Sequence, residues 1–302
     1  MTAQIIDGKQ VAADMRAELK DEVAELAKKG IVPGLAVVLV GEDPASKSYV
    51  TAKERACEEM GIYSDDNRLA ADTSQEELMA LVEKLNKDPK INGILVQLPL
   101  PDGLNEAEVL LAIDPAKDVD GFHPVNVGKM VVGEKAFLPC TPHGVIQLLI
   151  RSGVKLEGAE VVIVGRSNIV GKPLANMLIQ KNATGNATVT VCHTRTRDLA
   201  EHTRRADIVI AAAGRPDTVT ADMVKDGVVV IDVGVNRVGE KPSKKDPNRM
   251  VAILKGDVDF EAVKEKASLI TPVPGGVGPM TITMLLYNTV ESAKRAAGID
   301  EN

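Results

Sequence analysis

Along the first half of the chain, short apolar runs alternate with longer stretches in which apolar and polar positions follow a helical period. Residues 34–40 (GLAVVLV) form an almost unbroken aliphatic run, as expected of a strand covered on both faces. Gly41 closes it. From Pro44 the helical period continues to Met60 and stops at Gly61, a residue suited to a left-handed helix cap. The spacing predicts a second helix over 75–86 and a strand over 93–98, the latter stopped by the rigid Pro99-Leu100-Pro101. Strand and helix in alternation favour a parallel sheet.

A second alternation starts at Gly144. It reads as a helix to Ser152, a strand over 160–164, a helix over 173–180 and a strand over 188–191. Further strands are expected over 206–212, 228–233 and 268–271, the last ending at Pro272. This half is expected to be doubly wound. The tail over 280–297 has helical periodicity, follows a Gly/Pro-rich stretch and is expected to return to the first half. The expected fold is therefore α/β with two domains, one of 1–143 joined by the returning helix of 280–302, the other of 144–279. The polar run 239–249 (GEKPSKKDPNR) is expected to be a solvated loop.

Bulk properties agree with two cores. The 302 residues exceed what one core usually organises, and 44% hydrophobic with 26% charged residues is an ordinary globular balance. A formal net charge of -7 lacks the cationic excess of a nucleic-acid binder, so no such partner is expected. The start, MTAQIIDGKQVAADM, has no secretory pattern, and no apolar run is long enough to span a bilayer. A cytoplasmic chain without membrane partners is expected. Cys57, Cys140 and Cys192 are too scattered for a disulfide framework and fit a reducing compartment. His123, His143, His193 and His202 show no paired spacing, so no metal is expected, and no G-x-S-x-G nucleophile context occurs.

Candidate chemistry begins at VVIVGRSNIVGKP (161–173), where an apolar strand enters a loop with Gly165 and Gly171 and then a helix with proline in its first turn. Backbone N–H groups and the dipole at such a helix start favour an anion. The two glycines are six residues apart, so the G-x-G-x-x-G spacing is not met, and an ordinary tight strand-to-helix turn has the same features. At the end of the next strand stands CHTRTR (192–197), with no acid before Asp198 to take ribose hydroxyls. Arg166, Arg195 and Arg197 can instead pair with a 2′-phosphate, which favours NADP, although exposed arginines are commonly plain surface charge.

In the first half, Tyr49 and Lys53 lie four apart and share a helix face. A buried amine there would have a lowered pKa and could relay a proton. Most such pairs are packing and solvated charge.

The segments YVTAK, GILVQLPLP, KDVDGFHPVNVG, PCTPHGV, VGRSNIVGKP, AAAGRP, VVVIDVGVNR and TPVPGGVGPMT lie in this order between Tyr49 and Thr281. Together they resemble the bifunctional methylenetetrahydrofolate dehydrogenase/methenyltetrahydrofolate cyclohydrolase family. The resemblance implies an N-terminal α/β folate-binding domain and a Rossmann-type NADP-binding domain. It implies oxidation of 5,10-methylenetetrahydrofolate with NADP+, hydrolysis to 10-formyltetrahydrofolate, a place in one-carbon metabolism and purine biosynthesis, and a homodimer. It assigns Lys53, Gln97 and Asp120 as catalytic, with Asp120 holding the pterin, and Tyr49 as the stacking partner of the folate. Gly275, Gly276 and Pro279 fall in the family's loop near the folate. Gly165, Arg166, Ser167, Thr194, Arg195 and Val235 fall at its cofactor contacts.

Chemistry supports these roles: a carboxylate accepts the N–H groups of a pterin, and a strand-end amide orients an amine without adding charge. Either residue could equally be a turn former or a strand-end hydrogen bond. Threonine in HTRT (193–196) stands where the family often has serine, and the segment before and after Met250 is less regular than usual. Two rivals are another NADP oxidoreductase acting on a small hydroxy acid, such as shikimate, and a non-catalytic NADP-binding sensor. VQLPLP and PGGVGPMT oppose the first; Lys53, Gln97 and Asp120 together oppose the second.

Overall fold

The computed structural model describes residues 2–242 and 250–299. In chain order its elements are β1 (Gln4–Ile5), α1 (Gly8–Lys28), β2 (Gly34–Val40), α2 (Pro44–Met60), β3 (Tyr63–Leu69), α3 (Gln75–Lys87), β4 (Gly93–Val96), α4 (Glu106–Ala112), α5 (Pro124–Val132) and α6 (Cys140–Arg151). There follow β5 (Glu160–Val164), α7 (Gly171–Leu178), β6 (Thr188–Cys192), α8 (Leu199–Arg205), β7 (Ile208–Ala211), β8 (Val229–Asp232), β9 (Asn236–Pro242), β10 (Met250–Lys255), α9 (Phe260–Lys264), β11 (Leu269–Ile270) and α10 (Val277–Ala296). The chain divides into two compact units, Met1–Ala12 with Thr141–Thr281 and Ala13–Cys140 with Ile282–Asn302.

The unit of Ala13–Cys140 holds a three-stranded parallel sheet in the order β3-β2-β4. Every residue of β2 is buried, as its aliphatic run predicts. Ala36, Val38 and Val40 pack with Leu78, Val82 and Leu85 of α3 and with Ile94 and Val96 of β4, each large side chain contributing about 1.5–3 kcal/mol of burial. Gly61 ends α2 at φ 76, where its N–H reaches back to carbonyls of the last turn. At the start of α3, Ser74 and Glu77 cap each other's backbone N–H groups. Strand β3, YSDDNRL, has no sequence signature of a strand. It pairs with β2 on one side only, so its outer edge carries Asp65, Asp66 and Arg68 without cost to the core.

The unit of Thr141–Thr281 is a six-stranded parallel sheet ordered β1-β11-β8-β7-β5-β6. Its core joins Val162 and Val164 with Val209, Ala211, Val230 and Ile270. β5 lies between β6 and β7, so the strand order reverses there, the switch point where open α/β sheets bind ligands. Two expectations are corrected. The first twelve residues belong to this unit, because β1 pairs with β11 through Gln4↔Leu269 and Ile5↔Ile270. The polar run at 239 is partly a hairpin rather than a loop: β9 and β10 pair antiparallel. A two-stranded ribbon half-open to water needs backbone pairing, not apolar side chains. The rest of that run, 243–249, lies outside the described residues. Among the described residues no helix is long and apolar enough to cross a membrane.

Candidate active site

Lys53 stands in the third turn of α2, and helix packing against the sheet leaves it only 8% exposed. Its Nζ donates to Gln97 Oε1 at 2.9 Å. Gln97 follows β4 directly and its Nε2 donates to Leu98 O at 2.7 Å, which commits the amide's donor end and leaves the oxygen for the amine. Desolvation pulls the Lys53 pKa below the ordinary lysine value, while the charge of Asp120 opposes the shift. Burial pushes the Asp120 carboxyl up to about 6, with Lys53 holding it down. Lys53, Gln97 and Asp120 thus form one cluster. Tyr49, one turn before Lys53 on α2, is 49% exposed, so its ring is open to a ligand.

The turn that carries Asp120 is built by residues with no role in the sequence analysis. Asp118 is buried and accepts from the N–H groups of Phe122 (3.2 Å) and His123 (2.8 Å) and from Asn126 Nδ2 (2.8 Å). Asn288 of α10 donates to Val119 O at 2.8 Å and to Leu138 O at 3.0 Å, clamping the residue before Asp120. The Cys140 thiol donates to Val119 O at 3.4 Å and interacts with the Asp120 carboxyl. An asparagine in the apolar periodicity of the tail was the available sequence signal for Asn288, since a buried amide needs partners.

In the other unit, the loops after β5 and β6 leave the same end of the sheet side by side, because Val164 pairs with Cys192. Gly165, Arg166 and Ser167 follow β5; Thr194 and Arg195 follow β6. Arg166, Ser167, Thr194 and Arg195 are exposed. Gly165 has φ 144, and a Cβ there would sit 2.1 Å from Ala212 O; a Cβ on Gly171 would sit 2.2 Å from Gly165 O. Only glycine allows this tight approach of loop to helix start, where Ser167 Oγ accepts the Val170 N–H at 3.1 Å. The cradle, the start of α7 and the two arginines fit a dinucleotide phosphate with an added 2′-phosphate.

Val235, 54% exposed, follows β8. Its loop is fixed by two buried acids that the sequence analysis did not single out. Asp232 accepts from the N–H groups of Gly234 (2.9 Å), Asp257 (2.9 Å) and Val258 (3.0 Å). Asp257 accepts from Ala213 N (2.6 Å), Gly214 N (2.8 Å) and Asn236 Nδ2 (2.8 Å). Burial nonetheless pushes Asp232 up to about 6. The signal was an acid at the end of VVVID, where a strand leaves the core. Gly275, Gly276 and Pro279 lie in this same unit, at the approach to and first turn of α10, with Gly276 packed on Gly8.

Residues 6–120 match the tetrahydrofolate dehydrogenase/cyclohydrolase catalytic domain, and 139–297 match the NAD(P)-binding domain of the same family. The chain belongs to the tetrahydrofolate dehydrogenase/cyclohydrolase family. It is 61% identical over 300 residues to the bifunctional protein FolD of Dehalococcoides mccartyi strain BAV1, covering 99% of each chain. The crystal structure of the bifunctional methylenetetrahydrofolate dehydrogenase/cyclohydrolase FolD from Campylobacter jejuni is 51% identical, with a TM-score of 0.89 over 97% of this chain and 99% of that one. That of the Trypanosoma brucei FolD, complexed with NADP cofactor and inhibitor, is 39% identical, with a TM-score of 0.91 over 98% and 99%. The likeness to both solved structures runs over nearly the whole chain and so takes in both Lys53 and Gly165.

Proposed function

We infer that the chain oxidises 5,10-methylenetetrahydrofolate to 5,10-methenyltetrahydrofolate with NADP+ and hydrolyses that product to 10-formyltetrahydrofolate. The observation that carries the reading is the buried amine of Lys53, held by Gln97 and faced by Asp120, in a chain of this family.

In this reading Asp120 accepts hydrogen bonds from the pterin N–H groups and Tyr49 lies against the ring system, so the folate is oriented before reaction. Arg166 and Arg195 hold the 2′-phosphate, and the backbone N–H groups from Gly165 to the start of α7 hold the pyrophosphate. The bound nicotinamide would supply the hydride acceptor for the carbon bridging N5 and N10, where both nitrogens would stabilise the positive charge left behind. Lys53, easier to deprotonate than a lysine in water because it is buried, takes a proton from the water that adds to this carbon. It returns that proton to N5 as the bond from the carbon to N5 breaks, and the hydroxyl proton of the adduct leaves to water as the C=O forms, so the formyl group stays on N10 and one proton is released in all. Gln97 fixes the amine on the line of both transfers without adding a charge that would hold the proton.

In our reading the unit of Ala13–Cys140 handles folate and the unit of Thr141–Thr281 handles NADP, and the enzyme works as a cytoplasmic homodimer whose formyl product serves purine biosynthesis. The three buried free cysteines fit a reducing compartment. Sedimentation giving two chains per particle tests the dimer. The activity itself is tested by supplying methylenetetrahydrofolate and following NADPH formation and methenyl decay together, with NAD+ in parallel. NADPH formation followed by methenyl decay is expected; no reduction of either cofactor overturns the reading.

A further inference from the structure

Within the unit of Ala13–Cys140 and Ile282–Asn302 a groove of about 700 Å³ opens between the end of α10 and the loop 114–117. That volume is in the range of sites for small organic molecules. Its charge is one-sided. Among the described residues, Lys117, Lys129 and Arg295 line it beside the carboxylate of Asp114, in a chain whose net charge is -7. Cations gathered in a recess repel one another unless an anion joins them.

Arg295 has a defined pose. Its guanidinium lies over the Phe137 ring, Cζ 4.3 Å from the centroid, and its Nε is buried without a hydrogen-bond partner among the described residues. Arg295 as a whole is half-buried, and a donor left unpaired within it is costly, so the guanidinium has an unmet demand for an acceptor. The groove floor is already rigid. Asn126 Nδ2 donates to Pro115 O at 2.9 Å and to Asp118 Oδ2 at 2.8 Å, and Ser292 Oγ donates to Asn92 O at 2.6 Å and Ala116 O at 2.9 Å. Lys117 Nζ is anchored on Leu85 O and Asp88 O and lends its field. A preformed recess loses little on binding.

We propose that this groove binds a small organic dianion, its acidic groups met by Arg295 and Lys129 and its compact apolar body resting on Pro89 and Pro115. The site uses none of Lys53, Gln97, Asp120 or the dinucleotide loops, so it stands apart from the reaction proposed above.

The test is calorimetric titration of the full-length protein with phthalate, alongside its neutral diamide. One phthalate per chain is expected, with little or no binding of the diamide. Arg295→Met keeps an aliphatic stem over Phe137, and combined with Lys129→Glu it is expected to weaken phthalate at least tenfold. Lys129→Glu alone, on an exposed position, is expected to weaken it several-fold, and Lys20→Glu on the exposed side of α1 to leave it unchanged. Both groove variants keep methenyl hydrolysis, which separates this site from the catalytic one. Absence of phthalate binding, equal binding by the double variant, or equal binding of the diamide overturns the proposal.

Discussion

Lys53 Nζ and Gln97 Oε1 are joined at 2.9 Å in a pocket that leaves the lysine 8% exposed. A buried ammonium ordinarily takes a carboxylate as its hydrogen-bond partner. Here the direct partner is a neutral amide, and the nearest acid, Asp120, acts through its field. Desolvation is the larger influence, so the amine is easier to deprotonate than a lysine in water. A group that must both take and give a proton near neutral pH needs that balance.

Gln97→Glu reverses it. A carboxylate 2.9 Å from Nζ stabilises the ammonium and raises the Lys53 pKa, so the neutral fraction at pH 7 falls. Cyclohydrolase kcat/KM is expected to drop by at least about tenfold at pH 7, with its rising limb moved to higher pH, read from a pH–rate profile.

Asp120→Asn acts in the opposite direction on the same profile. Asp120 raises the Lys53 pKa, so removing its charge lets desolvation lower that pKa further. The rising limb is expected to move down by roughly one unit, while KM for the folate increases because the pterin loses its anionic acceptor. A limb that stays in place would show that Lys53 does not set it.

Much of this was legible in the chain. The buried strands β2, β4, β5 and β8 announce themselves because both faces are covered and the side chains must be apolar. The edge strand β3 and the ribbon β9–β10 do not, since water covers their outer sides and pairing alone defines them. β1 is two residues long, too short for any periodicity, and its place beside β11 is a long-range pairing. Lys53, Gln97 and Asp120 could be named, but not their distances. The supports Asn288, Asp232 and Asp257 were missed because they satisfy backbone groups of segments remote in sequence, and Asp118 because its bonds to the nearby Phe122 and His123 N–H groups depend on a turn that leaves no hydropathy pattern.

Arg166→Glu with Arg195→Glu tests the 2′-phosphate assignment. Two charge-assisted contacts are exchanged for repulsion, which is expected to weaken NADP by roughly a hundredfold relative to NAD in binding titrations. Equal losses for both cofactors would remove these arginines from the phosphate site.

Asn288→Leu leaves Val119 O and Leu138 O without their buried donor. The loss is expected to be about 2 kcal/mol or more of stability, measured by urea unfolding, with a raised folate KM in the folded enzyme because the Asp120 turn is no longer clamped. Unchanged stability and KM would make Asn288 a bystander.

The role proposed for the buried amine of Lys53 is to move the proton in hydrolysis. Lys53→Met removes the amine at nearly constant volume, and the decisive measurement is methenyl decay by this variant, with folate binding measured on the same preparation. Folate binding is expected to persist while hydrolysis falls at least about a hundredfold. Methenyl decay at the unaltered rate would contradict the account.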